Sequence, residues 1–207
     1  MDPIAFHIVW TAYGTWLPGE DGFVGYYRTS EGQRGIDNAP GELPTGQIPP
    51  LERYAREAMQ REPVLLTMRQ AEILCGQFQE TAACRKWVID AVAVMVNHVH
   101  IVFGVPGDPE PSDMLRDWKS YASRGLNRTG PQPRDGRWWA DQGSKRPIKT
   151  DERRLAAILY VRNQANPLLV WLSPEARELT GEPAALAAGL RHAAGLGTLP
   201  GWANRLR

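Results

Sequence analysis

Residues Lys86–Val105, KWVIDAVAVMVNHVHIVFGV, carry the reading on which the fold turns. Two β-rich runs, Trp87–Met95 and His98–Val105, are split at Val96-Asn97, and this pattern predicts a hairpin with a tight turn. In the second run Val99, Ile101, Phe103 and Val105 fall on one face, while His98, His100, Val102 and Gly104 fall on the other. Two imidazoles two residues apart on a strand therefore project from the same side of a sheet.

Working outward, Phe6–Leu17 (FHIVWTAYGTWL) is aromatic and β-branched and reads as a first strand. Pro18–Pro50 is loaded with Gly and Pro, keeps no helical or strand period, and reads as a long surface insertion. Thr67–Ala83 predicts an amphipathic helix with Thr67 and Gln70 as a capping box and Ala71, Leu74, Phe78 and Ala82 as its apolar stripe. A second helix is expected from a Ser112 cap to Asn127, buried along Leu115, Trp118, Ala122 and Leu126. Gly136–Ile148 (GRWWADQGSKRPI) predicts a strand with a loop, and Thr150–Gln164 a third helix held to a core by Leu155 and Leu159. The tail from Ser173 is expected to hold short helical pieces, including Pro183–Ala194. The order strand, helix, hairpin, helix, strand, helix implies an α+β fold, an antiparallel sheet with helices packed against it. One domain over residues 1–172, with an insertion at about 18–63, and a C-terminal extension over 173–207 are the expected organisation.

Composition narrows the class. With 43% hydrophobic and 23% charged residues, the 207-residue chain matches an ordinary globular protein, and no run approaches the roughly 20 apolar residues that cross a bilayer. MDPIAFHIVW has neither a basic n-region nor a small-residue cleavage pattern. Cys75 and Cys84, nine residues apart on the first helix, would sit about 13 Å apart, too far for a disulfide. Free thiols and no signal give a cytoplasmic expectation. The net charge of +1 points to no acidic partner, but Arg116–Arg154 holds eleven Lys and Arg against five Asp and Glu. Such segregation makes one basic surface; a merely solvated basic stretch explains it equally well.

His98 and His100 suit a divalent metal, although two surface histidines at a period of two give the same spacing. Tyr160 and Gln164 are one helical turn apart on one face. A tyrosine turned away from its helix's apolar side needs another reason to be there, yet from that helix alone an exposed aromatic explains it.

MVNHVHIVF, followed some sixty residues later by YVRNQ, resembles the HUH endonuclease superfamily. More closely it is similar to the single-tyrosine transposases of the insertion-sequence 200/605 type, including the REP-associated tyrosine transposases. TAYGTWLPG, LRDWKSYASRGLN and GRWWADQGSKRPI look like the corresponding family elements, so the resemblance runs from Phe6 to Pro167. It departs at Val96, where the family commonly has Pro.

The resemblance implies the ferredoxin-like, RRM-like HUH fold, His98, His100 and Gln164 as ligands of Mg²⁺ or Mn²⁺, and Tyr160 as nucleophile. It implies cleavage and rejoining of single-stranded, hairpin-bearing DNA through a 5′-phosphotyrosine by a homodimer. The materials for holding such DNA are Arg116, Lys119, Ser120, Ser123 and Arg124 on the second helix, with Lys145 and Arg146 on the following strand. Trp138 and Trp139 offer stacking platforms or core packing, of which core packing is the ordinary state of tryptophan. Competing readings are a domesticated relative that binds or nicks hairpin repeats, a non-catalytic single-strand-binding module, and a metal hydrolase. The hydrolase reading lacks well-placed carboxylates near either motif.

Overall fold

A computed structural model describes residues 4–20 and 46–181, together with the backbone of three short strands at 25–28, 34–37 and 191–192. The elements in order are β1 (Ala5–Thr11), β2 (Gly25–Arg28), β3 (Arg34–Asp37), α1 (Pro49–Glu57), α2 (Met68–Arg85), β4 (Val88–Val94), β5 (His98–Gly104), α3 (Pro111–Thr129), β6 (Ser144–Ile148), α4 (Asp151–Arg162), β7 (Leu169–Leu172), α5 (Pro174–Leu179) and β8 (Arg191–His192).

The β4–β5 hairpin is the centre of a sheet ordered β6-β1-β5-β4-β7-β8, with every neighbouring pair antiparallel. The backbone N–H of Met95 donates to the His98 carbonyl (2.8 Å) and closes the hairpin. Because side chains alternate, the sheet has two apolar faces. Phe6, Ile8, Trp10, Val92, Val99, Ile101 and Phe103 pack under α2 and α3 with Leu74, Phe78, Trp118 and Leu126. Ala5, Ala91, Ala93, Val102 and Val170 pack under α4 and α5 with Ile158, Val161 and Ala176. This is the expected α+β sheet with helices against it.

The helix ends follow local chemistry. Thr67 caps α2 as a capping box: Gln70 N–H donates to Thr67 Oγ1, and Thr67 N–H donates to Gln70 Oε1 (2.9 Å). Thr150 caps α4, its hydroxyl accepting from Arg153 N–H (3.3 Å). α3 differs from expectation. It starts at Pro111 behind Glu110, which makes no side-chain cap bond; proline at the first position has its φ preset for a helix and no N–H left to satisfy, so the helix begins one residue before the expected Ser112 cap.

Other departures have similar local causes. The first strand stops at Thr11 rather than Leu17, since Ala12 bridges to Trp139 and Gly14 turns the chain at φ +70°. Pro18–Pro50, read as a stretch without a helical or strand period, contains the β2–β3 pair and the first two residues of α1, a helix whose proline start and Glu52–Arg56 ion pair (2.9 Å) support it. β7 follows a turn at Asn166 (φ +55°) and is an element the periodicity did not reveal. Pro183–Ala194 lies outside the described residues apart from β8, which is strand rather than helix. α4 meets the sheet through Arg154, Ile158 and Val161, with Leu155 and Leu159 only half-buried. No helix among the described residues is long and apolar enough to cross a membrane. Cys75 is buried and Cys84 exposed on α2, and neither is in a disulfide.

Candidate active site

Antiparallel registry places His7 of β1 opposite Val102 of β5, and Val9 opposite His100. Directly paired residues share a face, so His7, His98 and His100 all lie on the side covered by α4. On the edge strand β6, Arg146 pairs with His7 and joins the same face.

His98 Nε2 and His100 Nε2 are 2.9 Å apart, and His98 Nδ1 donates to Asn97 Oδ1 (2.6 Å). Two imidazole nitrogens at that spacing share either a proton or a cation. Cis ligands of an octahedral cation with bonds of about 2.1 Å stand about 3 Å apart, so this pair fits a divalent metal. Behind His100, its Nδ1 lies 3.2 Å from His7 Nε2, with the ring planes 25° apart. Burial pulls all three histidines down: His98 to about 4, His7 to about 4 with help from cationic Arg146, and His100 to about 3 with help from its two neighbours. They are therefore neutral at physiological pH, the form in which imidazole ligates metal.

Tyr160 is 56% exposed, and its ring stands edge-on to His100 (centroids 5.6 Å) and His7 (5.8 Å). The phenol is thus both open to solvent and beside the imidazoles. Gln164 follows the end of α4, and its Nε2 donates to the Tyr160 carbonyl (3.1 Å) rather than to either imidazole. Among the described residues no group of three or more His, Cys, Asp or Glu could hold a metal. A cation here would take its remaining donors from a carboxamide such as Gln164, from water or from a phosphate.

The expected DNA-holding residues do not gather at this site. α3 covers the opposite face, and Arg116, Lys119, Ser120, Ser123 and Arg124 go with it. Lys119 is spent on structure: its Nζ donates to the carbonyls of Ala140 (2.6 Å), Asp141 (3.0 Å) and Gln142 (2.9 Å), and burial lowers its pKa to about 8. Ser123 Oγ donates to the Lys119 carbonyl (2.9 Å) and accepts from Trp139 Nε1 (3.0 Å). Arg116 pairs with Asp113 (2.8 Å), and Arg124 lies over the Tyr121 ring (5.0 Å). Lys145 pairs across from Ile8 and so faces α3; of the seven, Arg146 alone shares the histidine face. Trp138 and Trp139 are buried, with Trp138 Nε1 donating to Asn127 Oδ1 (2.7 Å). His7 is the member of the cluster that the sequence did not single out, its partner being 93 residues away.

A family model described as Transposase IS200 like matches residues 58–164, just over half of the chain. Among solved structures, a REP-associated tyrosine transposase bound to a REP hairpin is similar at 13% identity and a TM-score of 0.42, covering 78% of this chain. The chain spans 66% of that protein's length. A putative transposase from Deinococcus radiodurans R1 is similar at 15% identity and a TM-score of 0.44, with 79% of this chain and 92% of that one covered. No curated protein matches.

Proposed function

As the chain belongs to the IS200-like transposase family, we propose that it cleaves and rejoins single-stranded DNA with Tyr160 as nucleophile. The observation that carries the reading is the solvent-open Tyr160 ring 5.6 Å from His100, whose Nε2 meets that of His98 at 2.9 Å. A nucleophile and a metal-competent imidazole pair from distant parts of the chain meet on one face.

In the proposed step Tyr160 Oη attacks the scissile phosphorus and gives up its phenolic proton to solvent. The new Oη–P bond replaces the P–O3′ bond, leaving a 5′-phosphotyrosine and a 3′ oxygen that takes a proton. Each step exchanges one phosphodiester for another, so a second 3′-OH reverses it and joins a new strand without ATP. His98, His100 and Gln164 would hold Mg²⁺ or Mn²⁺, which would supply Lewis acidity toward the phosphate. Arg146, on the same face, attracts the phosphate to the site. The proposed substrate carries a hairpin at the cleaved end, and two copies of the chain supply one tyrosine each.

The test is a denaturing gel after incubation with short hairpin-bearing single strands and Mn²⁺. Wild-type protein should run as a protein–DNA conjugate, and Tyr160→Phe should bind the strand without forming one. An adduct that survives in Tyr160→Phe sinks the assignment. Metal-independent binding with no adduct in the wild type would instead mark a binding module.

A further inference from the structure

We infer that His7 is a positioning residue for His100, holding it as the tautomer whose Nε2 lone pair faces the cation site. This rests on the metal reading proposed above. For His100 to offer Nε2 to a cation, its ring proton must sit on Nδ1, and a buried N–H needs an acceptor. His100 is 4% exposed, so bulk water is a poor candidate. His7 Nε2, 3.2 Å from that Nδ1, is the acceptor, and the 25° between the ring planes suits a bond made in the plane of both rings.

His98 is treated in the same way by a different residue. Asn97 Oδ1 accepts from its Nδ1 at 2.6 Å and leaves Nε2 turned toward His100. Each imidazole of the pair is thus buttressed from behind, one by its chain neighbour and one across the sheet. Such backing fixes ring orientation and raises ligand basicity. It also explains why a histidine rather than an aliphatic residue fills a β1 position that is 9% exposed and flanked by Phe6 and Ile8. The alternative, that His7 only fills space, makes a different prediction for a ring of similar size.

The experiment compares His7→Phe, which keeps a planar ring without an acceptor, with His7→Gln, which restores one. Two readouts are taken: nitrogen-15 NMR of the His100 ring in protein saturated with diamagnetic Mg²⁺, where no proton is needed between the two Nε2 atoms, and Mn²⁺ affinity by electron paramagnetic resonance without DNA. Wild type and His7→Gln should show His100 protonated at Nδ1. In His7→Phe that preference should be lost, and Mn²⁺ should bind about 10- to 100-fold more weakly. His7→Met asks the same question should the phenylalanine variant fail to fold. Unchanged Mn²⁺ affinity in His7→Phe, with His100 still protonated at Nδ1, overturns the role. Equal Mn²⁺ binding by wild type and His98→Ala would overturn the metal site itself, and the NMR tautomer then decides His7 separately.

Discussion

Arg154, in the first turn of the helix that carries Tyr160, grips the buried carboxylate of Asp90 on β4 through Nε (2.8 Å) and Nη2 (2.6 Å). The register of β4 against β5 shifts between Ile89 and Ala91, so Asp90 stands at the irregularity, 2% exposed. Together with Ile158 and Val161, this two-pronged contact fixes how α4 is rotated on the sheet, and hence where Tyr160 stands.

Arg154→Leu should therefore destabilise the protein by about 3 kcal/mol, since it leaves a buried carboxylate unpaired. The lower end of the usual range applies because the Arg154 side chain is 30% exposed. Asp90→Leu combined with Arg154→Leu should recover much of that loss, because no charge is then stranded. Urea unfolding of the two single variants and the double variant measures the coupling. Simple additivity would show that the pair does not hold the helix.

The same contact explains what the sequence disclosed and what it withheld. The period of two around His98 and His100 gave the shared face, because alternation on a strand is a local property. The rotation of α4 was hidden: its sheet-facing stripe is Arg154, Ile158 and Val161, and an arginine at the head of a stripe reads as a solvent position. Which face a helix covers is equally invisible, since an amphipathic helix has the same pattern above or below a sheet. That is why the polar residues of α3 looked available to the site and lie behind it. His7 stood alone in its strand until folding brought a partner from 93 residues away.

Acid should destabilise the metal-free protein well above the range where carboxylates titrate. In the unfolded chain His7, His98 and His100 take up protons near pH 6.5, while in the fold burial holds them to about 4, 4 and 3. The unfolded state then binds more protons, so stability present above pH 6.5 is lost as pH falls toward the folded values. Each histidine adds a slope of up to about 1.4 kcal/mol per pH unit. Urea unfolding in EDTA at several pH values between 7.5 and 5 measures it, and His98→Gln should flatten the profile. A profile level down to pH 5 contradicts neutral buried histidines.

Gly143 lets β6 approach β1. A Cβ there would stand 2.6 Å from the Val9 carbonyl oxygen, 3.1 Å from Leu115 Cδ2 and 3.2 Å from Trp10 Cβ. The first of these is backbone and yields only if the strand moves. Gly143→Ala should destabilise by about 1–3 kcal/mol and displace the strand bearing Arg146. Thermal melting reads the first effect and weaker DNA binding the second. Wild-type melting would mean that the edge strand adjusts freely.

Lys119 and Arg146 should separate cleanly when melting and salt dependence are measured on the same variants. Lys119→Met removes a half-buried donor to three carbonyls, which should lower stability by about 2 kcal/mol, or roughly 4–8 °C in melting temperature. Its salt dependence of single-strand binding should match the wild type, because that ammonium is already occupied by the 140–142 loop. Arg146 is exposed on the histidine face, so Arg146→Ala should leave the melting temperature nearly unchanged. Removing its phosphate contact should reduce the magnitude of the log K against log salt slope by about 0.7. If Lys119→Met lowers the slope by the same amount, the lysine leaves its carbonyls when DNA arrives, and the basic face of α3 belongs to the binding surface after all.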